Sequence, residues 1–138
     1  MIFISETGIE AILNILIGIW NATNVSVHLF KNPATPSFSS AIADFTESDF
    51  PGYAPVDVTS WILGPVITNV GYMQSSTPCV FTVSSGSGLP QLAYGYYVLD
   101  DSGTLLWAEL DPNGPTSMSS SGNQVQVFVR LGLSNCPP

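Results

Sequence analysis

The stretch Ala93-Tyr-Gly-Tyr-Tyr-Val-Leu-Asp-Asp-Ser-Gly-Thr-Leu-Leu-Trp-Ala-Glu-Leu110 decides the fold class. Two apolar, aromatic runs flank Asp100-Asp101-Ser102-Gly103, a polar turn whose glycine can take a positive φ. Tyr94, Tyr96, Tyr97 and Trp107 suit a pleated, half-buried surface, so the segment reads as a β-hairpin with strands over about 92–100 and 104–111. The same grammar extends in both directions. Period-two or apolar runs at 25–31, 54–60, 65–74, 78–84 and 123–133 are separated by Gly, Pro, Ser and Asn clusters, which is the spacing of a sandwich or barrel. In the last run Val125, Val127, Val129, Leu131 and Leu133 alternate with Gln124, Gln126, Phe128, Arg130 and Gly132, which makes the first set a core face. Asp111-Pro-Asn-Gly114 reverses the chain after the hairpin, and the Ser-rich stretch Thr116–Gly122 is expected as an exposed, mobile loop.

The N-terminal part departs from this pattern. Thr7-Gly-Ile-Glu10 has the form of a capping box with Thr7 as N-cap, and Gly18 can end a helix, so the spacing predicts a short α-helix over 7–18. Glu6, Glu10 and Asn14 form one narrow polar stripe, while Ile9, Ile12, Leu13, Leu16 and Ile17 cover most of the remaining circumference. Such a helix carries apolar surface for two neighbours, its own sheet and a partner. The run Met1–Trp20 has no positive leading region, is interrupted by Glu6 and Glu10, and is too short in its uninterrupted apolar span for a membrane helix. It is therefore expected within the fold. Further on, Pro33 and Pro36 make Lys31–Ser37 a stiff extended loop, and Thr46–Tyr53 reads as a turn or a single helical turn. The whole is expected to be mainly β: one domain over 1–138, a single antiparallel, jelly-roll-like β-sandwich with strands from about 25 to 133 and a short N-terminal helix.

A chain of 138 residues buries roughly 65–70% of the surface its unfolded form exposes, enough to fold without staples. Only 9% of residues are charged and 45% are apolar, against a usual charged share of ~25%, so much of the surface is either small and polar or covered by partners. Such a composition points to permanent assembly. Lys31 and Arg130 are the only fixed cations, and the net charge is −8. That balance argues against phosphate neutralisation on nucleic acid and against an anionic membrane surface, and leaves docking on a basic or mixed protein surface. Cys79 and Cys136 could form one bridge; two free thiols are expected, because a core of this size needs no disulfide.

Chemistry is sparse. His28, the only histidine, sits beside Phe30 on a strand and reads as structural. No nucleophile elbow, His-Glu-x-x-His, Cys-x-x-Cys or glycine-rich phosphate loop occurs, so no enzyme activity, catalytic residue, cofactor or metal is expected. Asp100, Asp101 and Asp111 read as turn residues. Glu109 stands apart, because it lies in the second hairpin strand next to Trp107 and, if buried, would need Lys31 or Arg130 as a partner. The Tyr and Trp cluster could instead line a sugar-binding face, though its alternation fits core packing.

The hairpin Tyr94–Glu109 resembles a recurrent element of small structural proteins of tailed bacteriophages. Val27-His-Leu-Phe-Lys-Asn32 and Ala43-Asp-Phe-Thr-Glu-Ser-Asp-Phe-Pro-Gly-Tyr53 resemble that group's strand and acidic-aromatic turn, in the same order. The resemblance implies a virion component assembled in the host cytoplasm: a capsid cement or decoration protein that binds the major capsid protein and stabilises contacts between capsomers. Its signature positions are Tyr94, Gly95, Tyr96, Tyr97, Gly103, Trp107 and Glu109, none catalytic. A tail, baseplate or fibre-attachment part and a glycan-binding virion module are the alternatives. On the cement reading the chain is a homotrimer, with a dimer as the rival. Ile9, Ile12, Leu13, Leu16, Ile17 and Trp20 of the helix and Pro33 and Pro36 of the loop are the candidate contacts.

Overall fold

The hairpin forms, and everything else is arranged around it. In the computed structural model, which describes residues 5–66, 70–86 and 88–134, helix α1 (Glu6–Ala22) is followed by strands β1 (Val25–Phe30), β2 (Val56–Val58), β3 (Trp61–Leu63), β4 (Val70–Ser75), β5 (Cys79–Thr82), β6 (Gln91–Ala93), β7 (Gly95–Leu99), β8 (Leu105–Leu110), β9 (Thr116–Met118), β10 (Gln124–Val127) and β11 (Arg130–Ser134). The fold is mainly β and sandwich-like, and among the described residues these strands pair antiparallel throughout.

One layer is the sheet β2-β1-β7-β8. Its hairpin β7–β8 pairs Gly95 with Leu110 and Tyr97 with Ala108, then slips between Val98 and Leu99, so that Leu106 is the extra residue of a bulge. Asp100 builds the turn: its Oδ1 accepts from the Ser102 and Thr104 amides at 3.0 and 2.7 Å, and Gly103 follows at φ +81°. Those bonds hold the exposed Asp100 carboxyl below its ordinary range, the Ser102 hydroxyl contributing most.

The facing layer consists of β3-β4-β11 and β5-β10. The expected single strand over 123–133 is in fact two. Gln124–Val127 pairs with β5 and Arg130–Ser134 with β4, and the break falls where four residues, 75–78, face two, 128–129. The unequal count forces a kink. Val129 stays in register with the core through mutual bonds with Ser75, and Phe128 is turned outward. Two further readings are corrected. Trp61–Leu63 is a strand of its own, and Thr116–Met118 pairs with β6 in place of starting a mobile loop. Met118 is fully buried, and the following serines are tied into a turn by Asn123 Oδ1, which accepts from the Ser119 and Ser120 amides. Residues 67–69, within the run read as 65–74, lie outside the described residues.

Val25, Val27, Leu29, Tyr96 and Val98 from one layer meet Trp61, Met73, Cys79, Phe81 and Val129 from the other in the main core. A second, smaller core lies on the outer face of the first sheet, where Phe30, Phe45 and Tyr97 are covered by the loop after β1. Strand β7 is therefore buried on both faces, with Tyr96 pointing inward and Tyr97 outward.

Helix α1 is longer than its sequence signals suggest. Ser5 is the N-cap in place of Thr7, its hydroxyl accepting from the Gly8 amide at 3.1 Å. The helix passes through Gly18, which costs about 1 kcal/mol against alanine, because the turn beyond it is anchored. Trp20 packs on Trp61 and Trp107, with ring centroids 5.2 and 5.5 Å away, and Asn21 Oδ1 accepts the Trp61 amide at 2.8 Å.

Candidate functional site

Helix α1 packs on β3 and β4, and this choice of face sorts the candidate contact residues. Ile9 and Leu13 are in the core, and Leu16, Ile17 and Trp20 pack against it. They are committed to the fold, since the face they share packs on β3 and β4 and, through Trp20, on Trp107 of β8. The outward apolar stripe is instead Ile12, Ile15 and Ile19, 38%, 63% and 51% exposed. Their spacing of three and four residues places them in one row along the helix.

The proline loop is ordered by Asn32. Its side-chain amide donates to the Asp44 carbonyl at 2.8 Å and its oxygen accepts the Thr46 amide at 2.7 Å, closing a loop over 32–46. Pro33 is exposed, Pro36 half-buried, and Phe38 near the loop tip is fully exposed. A cleft of about 490 Å³ runs between residues 36–40 and the outer edge of β8 at Leu105–Ala108. Trp107 on this edge was singled out as part of the hairpin; Phe38 was not, because a lone Phe among serines carries no periodic signal.

His28 has a structural setting. It stacks on Tyr97, its Nδ1 lies 2.8 Å from Glu47 Oε1, and its Nε2 lies 3.0 Å from the Ser26 hydroxyl. The same Glu47 oxygen accepts the Tyr53 hydroxyl at 2.9 Å, while the Tyr53 oxygen accepts the Leu29 amide. Burial raises the Tyr53 phenol far above its usual value and the Tyr97 phenol to about 12, with Glu47 adding to both. This network clamps Glu47 and its neighbours onto β1, as the Phe30–Glu47 bridge also shows. Among the described residues no three His, Cys, Asp or Glu side chains converge as metal ligands, and no helix is long and apolar enough to cross a membrane.

No family model, curated protein or solved structure matches this chain.

Of the signature hairpin positions, Tyr96 and Tyr97 are buried and Trp107 is held in the tryptophan cluster, so they form core and not a ligand platform. Tyr94 packs against the small outer core. Gly95 is dictated by space. A Cβ there would collide with the Glu109 carbonyl and come within 2.8 Å of the Phe30 ring. Glu109 is exposed and pairs with neither cation: its Oε2 accepts the Tyr96 hydroxyl at 2.5 Å, while Lys31 meets Asp49 at 2.6 Å and Arg130 lies over the Tyr72 ring and bonds Gln74. The Lys31 ammonium holds the Asp49 carboxyl below its ordinary range. Burial, then the Glu109 bond, raises the Tyr96 phenol well above its own.

Glu109 does belong to a site, a cleft of about 400 Å³ between the end of the hairpin, the turn after it and β10. Asp111, Asn113, Thr116, Gln124, Gln126, Phe128 and Arg130 line it with Glu109. Cys79 is a buried free thiol on β5 whose pKa burial pushes up to about 11; Cys136 lies outside the described residues.

Proposed function

We propose that this chain is a structural, assembly-forming protein of a tailed-bacteriophage virion, specifically a capsid cement protein that self-associates and ties neighbouring capsomers of the major capsid protein together. The observation that carries the reading is the row Ile12, Ile15 and Ile19, aligned along a helix whose other face is already spent on the core. A row of exposed isoleucines is a contact surface, because each fully covered large aliphatic side chain contributes about 1.5–3 kcal/mol. The fully exposed Phe38 near the tip of the stapled loop supplies a second apolar contact. A net charge of −8 with two fixed cations suits a shell partner with a basic or mixed surface and not packaged nucleic acid. The resemblance of the hairpin and of segments 27–32 and 43–53 to phage structural proteins supplies the virion context.

The test is quantitative. Copy number in purified particles is measured by mass spectrometry, and particles lacking the protein are heated alongside complete ones. A cement protein is present at a stoichiometry comparable with the major shell protein, and its loss lowers the temperature at which particles open. A few copies per particle, confined to tail fractions, would move the chain to the tail or baseplate, and unchanged heat resistance would remove the cement role.

A further inference from the structure

We infer that the cleft between the hairpin end and β10 binds a neutral saccharide. The proposal is independent of the helix stripe. The lining is rich in planar polar groups on fixed backbone: Glu109 on β8, Asn113 in the turn, Gln124 and Gln126 on β10, Arg130 on β11. Carboxylate, amide and guanidinium groups each present two coplanar hydrogen-bonding atoms, the arrangement that matches adjacent hydroxyls of a sugar ring.

These groups are preorganised. Tyr96 holds Glu109 through Oε2 and leaves Oε1 as an acceptor, and the two glutamines are linked in a chain, Gln126 Nε2 to Gln124 Oε1 at 3.4 Å and Gln124 Nε2 to Thr82 Oγ1 at 3.2 Å. Phe128, 48% exposed, supplies an apolar face at the same cleft, on which the C–H side of a sugar ring can stack. It is there because the strand breaks at this residue.

Charge disfavours an anion, and the planar hydrogen-bonding groups beside an aromatic face favour a sugar ring over a basic peptide. Asp111 has both oxygens engaged within the turn, Oδ1 by the Asn113 amide at 2.9 Å and Oδ2 by the Thr116 hydroxyl at 3.0 Å. Those bonds do not remove the Asp111 charge, so with Glu109 and Arg130 the cleft carries one net negative charge, which repels an anion, and attraction of a basic peptide is the rival that the salt-sensitive arm of the test detects. An aromatic with several hydrogen-bonding groups in a concave site suits a polyhydroxylated ring.

The test is an NMR titration of the full chain with neutral gluco-, galacto- and manno-hexaoses, each to about 10 mM, a range that captures millimolar affinities. Shifts are expected at the side-chain amides of Asn113, Gln124 and Gln126, unchanged when salt is raised. Phe128→Ala and Gln126→Ala, both at exposed positions, should each weaken binding about tenfold, with the thermal midpoint and the remaining spectrum unaltered. The inference is overturned if none of the three hexaoses shifts these resonances, if the shifts survive both substitutions, or if tetralysine alone binds and is released by salt.

Discussion

Ile15→Glu separates assembly from folding. Ile15 is 63% exposed at the middle of the Ile12–Ile15–Ile19 row, so glutamate, a good helix former, should alter the stability of the isolated fold by no more than about 0.5 kcal/mol. In an interface the outcome differs. Covering the exposed 63% of Ile15 contributes about 1–2 kcal/mol per copy, so a symmetric contact that uses it twice loses about 2–4 kcal/mol, or roughly 30- to 1,000-fold in dissociation constant, before any cost of burying an unpaired carboxylate. The control is Leu13→Ala, two residues earlier but fully buried. It should cost about 2–5 kcal/mol of folding stability. Light scattering across a dilution series reads the association, and chemical denaturation reads the fold. If Ile15→Glu leaves the oligomer and its midpoint of dissociation unchanged, or if the parent is monomeric at micromolar concentration, the stripe is not the contact.

Gly95→Ala should destabilise the fold by about 3 kcal/mol, measured by denaturant midpoint, since its Cβ has no room between the Glu109 carbonyl and Phe30. Alkaline pH should weaken the fold. The Cys79 thiol and Tyr97 phenol rise from 9.0 and 10.0 to about 11 and about 12, so the unfolded chain loses these protons first, and the stability present below about pH 9 is lost as pH climbs toward 12. Denaturation curves at about pH 8 and pH 11 check this, and equal midpoints would refute it. Asn32→Ala removes both bonds that close the 32–46 loop, a loss of about 1 kcal/mol each, and should speed proteolysis within that loop while the tryptophan fluorescence of the main core is retained.

The hairpin, the core face of the last run and the N-terminal helix were legible because each has a strong period or a turn residue that only one geometry satisfies. The failures share a cause. Residues 124–134 alternate without interruption, yet the pattern is blind to the partner strand, whose extra residues at 75–78 break the pairing. Helix α1 overran Gly18 because Trp20 and Asn21 dock on Trp61, a long-range contact that outweighs a local stop signal. Composition also misassigned the contact residues. An almost wholly apolar helix does not reveal which face meets its sheet, and the structure gives Ile9 and Leu13 to the core and Ile15 and Ile19 to the surface. Glu109 could be picked out as unusual but not explained, since its partner is the Tyr96 hydroxyl across the hairpin and not a cation.

The hairpin's aromatics draw the eye in the sequence, yet they are the residues least able to recognise anything. Strand β7 is buried on both faces, so Tyr96, Tyr97 and Val98 hold the two cores together, and the two surfaces proposed for recognition lie elsewhere. The isoleucine row belongs to α1, whereas the cleft belongs to β8, β10 and the turn between β8 and β9. With no residue in common, the two surfaces should respond independently: Ile15→Glu and Phe128→Ala combined should change association and saccharide affinity by the same factors as each alone, within about 0.5 kcal/mol. A larger coupling would mean that self-association completes the cleft, making the two surfaces parts of one interface.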